Sequence, residues 1–183
     1  ITKPERVGFS SERLQHIDGA MQEFVTGGDA AGVTALVARR GKVVYFETFG
    51  MRDIENQKPM IVDTIFRIYS MSKPITSAAL MTLYEEGKFF LNDPVEKYLP
   101  EFKDLEVFQS GTVEKFWTEE RKSPVTILQL LTHTSGLPYG LSKEHVSDKL
   151  VNERKLFDIG ILLKDKIPVL ASIPLKFQPG EKW

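Results

Sequence analysis

Hydrophobic positions along this chain change period several times, and each change marks an element. Ser10 has the residue type of an N-cap. Behind it Leu14, Ile17, Met21, Phe24 and Val25 recur at helical spacing until Gly27-Gly28 stops the pattern, so residues 10–26 are predicted as one amphipathic helix. Residues 33–39 and 42–49 are rich in Val, Tyr, Phe and Thr and meet at Arg40-Gly41, which predicts a β-hairpin. Residues 50–59 are polar, a loop with a short strand at its end. From Ser70 to Glu86, Ile75, Ala79, Leu80 and Leu83 form an apolar helical face and Gly87 supplies the stop. Pro74 is tolerated there only in the first turn, where its missing N–H has no partner to lose, and this puts the helix start close to Ser70.

Downstream the pattern is less regular. Asp93-Pro94 opens a short helix toward Tyr98-Leu99-Pro100, and residues 104–122 are polar, Gly-broken and weakly alternating, a surface excursion or hairpin. Residues 126–132 predict a buried helix ended by Ser135-Gly136 and Pro138. Residues 151–166 predict another helix, and 173–183 are extended, with two prolines. No internal repeat, low-complexity tract or linker divides the chain.

Composition narrows the function. Of 183 residues, 42% are hydrophobic, enough for a real core, and 24 basic against 25 acidic residues leave a formal charge of -1. Such a balance provides no field for nucleic acid or an anionic membrane, and fits a small substrate better. The absence of cysteine removes disulfides, thiol nucleophiles and thiolate metal sites together, and the three histidines, His16, His133 and His145, are too dispersed to suggest a metal cluster. No apolar run reaches the ~18 residues of a membrane-spanning helix, and no charged-then-apolar leader is visible. The chain starts at Ile1, consistent with removal of a leader or a few residues.

The chemistry centres on Ser70-Met71-Ser72-Lys73. A serine hydroxyl becomes a nucleophile when a base within hydrogen-bond reach takes its proton, and i and i+3 share a helix face, so the Lys73 amine can stand beside Ser70. Lysine acts as a base only where desolvation or a cationic neighbour lowers its pKa, an environment that Ile68, Met71 and Ile75 can help supply. The helix N-terminus adds free N–H groups suited to a tetrahedral oxyanion. Alone, S-x-x-K is a weak signal, and its bland alternative is a capped helix with a solvated lysine.

The surrounding sequence carries more. FRIYSMSKPITSAALMTLYEEGKFFLNDPVEKYLPEF, residues 66–102, resembles the nucleophile region of serine β-lactamase-related proteins, a group spanning class C β-lactamases, DD-peptidases, family VIII carboxylesterases and D-amino-acid peptidases. ILQLLTHTSGLPYG at 127–140 resembles a second hallmark segment of that superfamily, and LKFQPGEKW at 175–183 resembles the approach to its next motif. The wording Y-S-M-S-K followed by Pro, with L-P-Y-G after T-H-T-S-G, looks most like the carboxylesterase branch.

The resemblance implies an α/β fold of the β-lactamase/transpeptidase-like kind, an antiparallel sheet flanked by helices with an all-α lobe beside it, here incomplete. It implies one catalytic unit, with helix and hairpin in residues 1–60 and nucleophile helix and lobe in 61–183. For Ser70 and Lys73 it implies acyl transfer through an acyl-enzyme, without metal or organic cofactor, on an ester, amide or β-lactam. Short-chain esters rank first, then β-lactams, then D-amino-acid peptides; a non-catalytic binding relic is the alternative from another class. Tyr139 is implied at the border of the substrate pocket, with packing on the lobe surface as its equal alternative. The family's tyrosine motif and Lys/His-x-Gly motif are not in these 183 residues, so the expectation is a piece of a longer polypeptide, or one chain of a split protein, stable only with the rest. The compartment is open, cytoplasm being slightly favoured over periplasm or secretion.

Two histidine and serine alternatives rank lower. His133 in T-H-T-S-G is expected to serve the turn, because S-x-x-K chemistry needs no histidine, and Ser135 lacks the preceding glycine of a G-x-S-x-G elbow. Tyr69 is expected to pack beside the nucleophile. Phe116, Trp117 and Trp183 are expected to cover the core more than to line a cleft.

Overall fold

A computed structural model describes residues 1–183, which divide into two compact units, Ile1–Tyr69 and Ser70–Trp183.

In the first unit, Ser10 caps α1 (Ser11–Leu14), its side chain accepting from the Arg13 backbone N–H, and α2 (His16–Thr26) follows at once. The single helix predicted for 10–26 is thus broken at Gln15, although the apolar stripe runs on through both pieces. The chain then forms β1 (Gly32–Arg39) and β2 (Lys42–Asp53), antiparallel, with Gly32 opposite Gly50 and Arg39 opposite Lys42. Arg40 and Gly41 both take positive φ, 51° and 70°, the conformation that matches a two-residue turn to strand twist. A bulge between Val37 and Ala38 interrupts the register, and β3 (Lys58–Pro59) adds a short third strand beside β2. Val7, Leu14, Val44 and Tyr45 form the buried core, with Phe9, Ile17, Ala35 and Val37 packed against it.

The second unit begins with the end of a 3₁₀ turn (Tyr69–Met71) and α3 (Ser72–Glu85), so Ser70 lies two residues ahead of the α-helix that was expected to start close to it. Pro74 is the third helical residue, within the first turn as expected. No residue of α3 is buried: Ile75 is 62% exposed and Leu83 44%, and Met71 just ahead of it is 70% exposed. Two 3₁₀ turns, Val95–Lys97 and Pro100–Phe102, stand where the short helix was predicted, and a hairpin of β4 (Glu106–Gly111) and β5 (Phe116–Glu120) lies among the helices of the lobe.

α4 (Ile127–Leu131) opens on a capping box in which Thr126 and Gln129 bond each other's backbone N–H. It is half-buried rather than buried, because only its Ile127 and Leu130 flank meets the core while Leu128 faces outward.

The largest departure concerns 151–166. The structure has α5 (Val146–Glu153), a loop, and α6 (Leu163–Ala171). Burial decides this: Val146, Leu150 and Val151 fill one cluster, and the chain turns at Lys155 (φ 50°) so that Leu156 enters the same cluster. A continuous helix could not present all four to it. α6 runs through Pro168, at the loss of one intrahelical hydrogen bond, because Ile167, Leu170 and Ala171 pack on the main cluster of Val95, Phe102, Leu105, Val107, Val125 and Leu175. Leu175 bridges to β4, with Leu175 N–H to the Glu106 carbonyl at 2.9 Å and Phe108 N–H to the Leu175 carbonyl at 2.9 Å.

Candidate active site

Ser70 and Lys73 meet as their spacing predicts. Lys73 Nζ lies 3.2 Å from Ser70 Oγ, within hydrogen-bond reach across i and i+3. The residue before Ser70 carries strain: Tyr69 has φ 44°, a left-handed conformation that costs a side-chain-bearing residue roughly 1–2 kcal/mol. Tyr69 is also 74% exposed, with the Arg67 guanidinium 5.8 Å from its ring, so it is not the packing residue that was expected. Nor do Met71 and Ile75 enclose Lys73, since both side chains point largely to solvent.

Tyr139 lies at the same place. Its ring centroid is 5.4 Å from Lys73 Nζ, a cation–π distance, and 5.2 Å from the ring of Phe157. A concavity of about 820 Å³ in the second unit is lined by Ser70, Lys73, Tyr139 and Phe157, and by Trp183, which is 88% exposed and not part of the core. Phe116 instead packs on the core and Trp117 is exposed.

The turn that carries Tyr139 is held by a residue that sequence reasoning missed. Asp148, 1% exposed in the first turn of α5, accepts through Oδ1 from the backbone N–H of Tyr139 at 2.9 Å and of Gly140 at 2.8 Å, and through Oδ2 from that of Ser142 at 3.2 Å. The Lys176 ammonium completes the cluster at 2.6 Å from Oδ2, and Asn152 donates to the Gly140 carbonyl at 3.0 Å. Burial opposes the charge of Asp148, but the ammonium and the N–H groups outweigh it and hold the carboxyl below the ordinary carboxylate range. An acid in a first helical turn is too common a feature to have singled Asp148 out, and its partners lie 6 to 28 positions away.

The other candidates fall into turn roles. His133, at φ 59° beyond α4, lines the concavity, and its backbone N–H bonds the Leu130 carbonyl. Ser135 is buried and its Oγ accepts from the Leu137 N–H at 3.3 Å. His145 caps α5 through Nδ1, and burial together with the nearby Lys176 charge lowers its pKa. No group of three or more acidic or histidine side chains is placed to hold a metal ion, and no helix is long and apolar enough to cross a membrane.

Across the chain, the family model described as Beta-lactamase matches residues 17–183. The chain belongs to the β-lactamase family. Esterase EstB of Burkholderia gladioli is 38% identical over 157 residues, which cover 83% of this chain and 36% of the esterase. Among solved structures, EstCE1, described as a hydrolase with promiscuous acyltransferase activity, superposes with a TM-score of 0.76 at 29% identity, covering 93% of this chain and 42% of that one. Simvastatin synthase (LovD) from Aspergillus terreus superposes at 0.73 with 25% identity, over 95% and 44% of the two chains. The chain spans less than half the length of these relatives. Its β-lactamase/transpeptidase-like fold and its place in a hydrolase family with esterase relatives follow, and the match corresponds to the N-terminal portion of that fold.

Proposed function

We propose that this chain carries the nucleophile of a serine hydrolase, a carboxylesterase working through an acyl-enzyme. The carrying observation is the 3.2 Å contact between Lys73 Nζ and Ser70 Oγ at the start of α3. In this reading Lys73 takes the proton of Ser70 as Oγ bonds to the substrate carbonyl carbon. The carbonyl π pair moves onto oxygen, where the Ser70 backbone N–H and the N-terminus of α3 stabilise it. The oxyanion collapses, the C–O bond to the alcohol breaks, and Lys73 returns the proton to the leaving oxygen. Water repeats the sequence to release the acid and free Ser70.

Tyr139, its ring over Lys73, is the substrate-bordering residue of this site. The esterase relative EstB and the hydrolase EstCE1 support an ester over a β-lactam or D-peptide. The outward-facing apolar side chains of α3 support a further proposal, that this chain works as part of a longer polypeptide or with a complementing chain that covers them.

The test is mass spectrometry of the natural protein, at its native length, after exposure to a fluorophosphonate. One adduct is expected, on Ser70, absent in Ser70→Ala and formed roughly 10²–10⁴-fold more slowly in Lys73→Ala. An adduct on another residue, or undiminished labelling of Ser70→Ala, overturns the reading.

A further inference from the structure

Asp148 is a buried carboxylate to which the acyl-transfer steps give no task. Its partners, the N–H groups of Tyr139, Gly140 and Ser142 and the Lys176 ammonium, take up the roughly four lone-pair directions of a carboxylate. At 1% exposure it has no face left for a substrate, a proton or a metal ion. Any effect of Asp148 on chemistry therefore passes through the groups it holds.

Those groups lead to the nucleophile in short steps. Asp148 fixes the Tyr139 N–H at 2.9 Å, the Tyr139 ring centroid stands 5.4 Å from Lys73 Nζ, and Nζ is 3.2 Å from Ser70 Oγ. Core packing does not hold the ring: its neighbours are Lys73 and Phe157, and none of the three belongs to a buried cluster. The ring is therefore placed from its backbone. The same turn is pinned from its other side by the segment that carries Lys176, whose N–H bonds the Gly136 carbonyl at 2.7 Å, while the Gly180 N–H bonds that of Thr134 at 2.7 Å.

We propose that Asp148, with Lys176, is a positioning residue for the acylation step, holding the Tyr139 ring face toward Lys73. There the negative face of the ring attracts the positive charge that Nζ gains as it takes the Ser70 proton. A buried ion pair adds little net stability over apolar groups of the same volume; what this one adds is a single geometry, with three N–H groups converging on one carboxylate. The inference rests on Ser70 being the nucleophile and Lys73 its base. A cation held over an aromatic face accelerates the step that creates the cation by about two- to thirtyfold.

The rate at which diisopropyl fluorophosphate labels Ser70 in the native-length protein, followed by mass spectrometry, provides the test. Oγ bonds to phosphorus, fluoride leaves and the Oγ proton passes to Lys73, so the probe reads the nucleophile whatever the natural ester is. The amplitude of labelling counts folded sites and the rate constant at saturating probe reads their activation, which separates lost fold from lost positioning. Tyr139→Leu should lower that rate constant about two- to thirtyfold, and Tyr139→Phe, which keeps an aromatic face, should lower it several times less.

Asp148→Asn should lower the rate constant about threefold or more by itself but less than about twofold in the Tyr139→Leu background, because the ring through which it acts is gone. Should Asp148→Asn give no amplitude, Lys176→Met, which keeps the stem and removes the charge, replaces it with the same expected pattern. Losses that multiply across the pair, a loss confined to amplitude, or a wild-type rate in Tyr139→Leu overturns the inference, while a Ser70 adduct leaves the serine hydrolase reading intact. Absence of any Ser70 adduct in the wild type overturns the two together.

Discussion

Replacing Asp148 with alanine removes one carboxylate that four donors share. Three are backbone N–H groups of the turn that carries Tyr139, and the fourth is the Lys176 ammonium, whose side chain is 27% exposed. Stranding a buried charge by deleting its partner costs roughly 3–5 kcal/mol, and each N–H left without an acceptor costs roughly 1 kcal/mol more. The turn can relax toward water and Lys176 keeps part of its hydration, so the terms overlap and the expected loss is about 4 kcal/mol.

Urea unfolding of the native-length protein at pH 7 reads it, as a lower midpoint with unchanged slope. Asp148→Asn, which keeps an acceptor and loses the charge, should lose about half as much. The folded carboxyl lies below its unfolded value, so its contribution is present above the ordinary carboxylate range and is lost as pH falls through the folded pKa. The gap between wild type and Asp148→Ala must therefore narrow below about pH 4. A loss under about 1 kcal/mol at pH 7, or a gap that stays constant into acid, refutes the clasp.

Three further expectations concern the same unit. The Asp93 carboxyl accepts from the Phe90 N–H, the Tyr98 hydroxyl and the Lys97 ammonium, which hold its pKa down to about 2; its stabilising effect is thus present above about pH 4 and lost as pH falls through 2. NMR titration of that carboxyl near 4 would contradict this. Gly136 has φ 81°, and a Cβ there would run into the Phe177 carbonyl oxygen, so Gly136→Ala should lose more than about 1 kcal/mol in thermal unfolding; an unchanged Tm would show that the turn can shift. Thr126→Ala deletes the side-chain half of the α4 capping box and should cost about 1 kcal/mol, with Thr126→Ser close to wild type in the same melt.

Sequence legibility followed the range of the interactions. The Arg40-Gly41 hairpin, the Thr126 helix start and the Ser70 to Lys73 approach all involve residues within a few positions of one another, where spacing and cap chemistry suffice. The expected helix over 151–166 misled because its apolar residues satisfy a helical period without sharing a destination: Val151 and Leu156 are buried, while Phe157, Ile159 and Leu163 face outward or line the concavity. Tyr69 misled in another way. An aromatic beside a nucleophile is expected to pack, but backbone turned to φ 44° leaves the ring exposed.

By itself the sequence determined the local grammar, the order of elements, the family resemblance and the residues whose types suit acyl transfer. Hydrogen-bond caps, two-residue turns and i,i+3 neighbours are properties of adjacent residues, so they are written in one dimension. Only the tertiary structure decided that Asp148 lies under the Tyr139 turn, that Lys176 reaches it from 28 positions away, and that Leu137, Phe157, Ile167 and Leu170 converge on one concavity beside Ser70. Those contacts join distant segments, and their pairing is chosen by competition among all burial partners of the folded lobe, which no window along the chain contains.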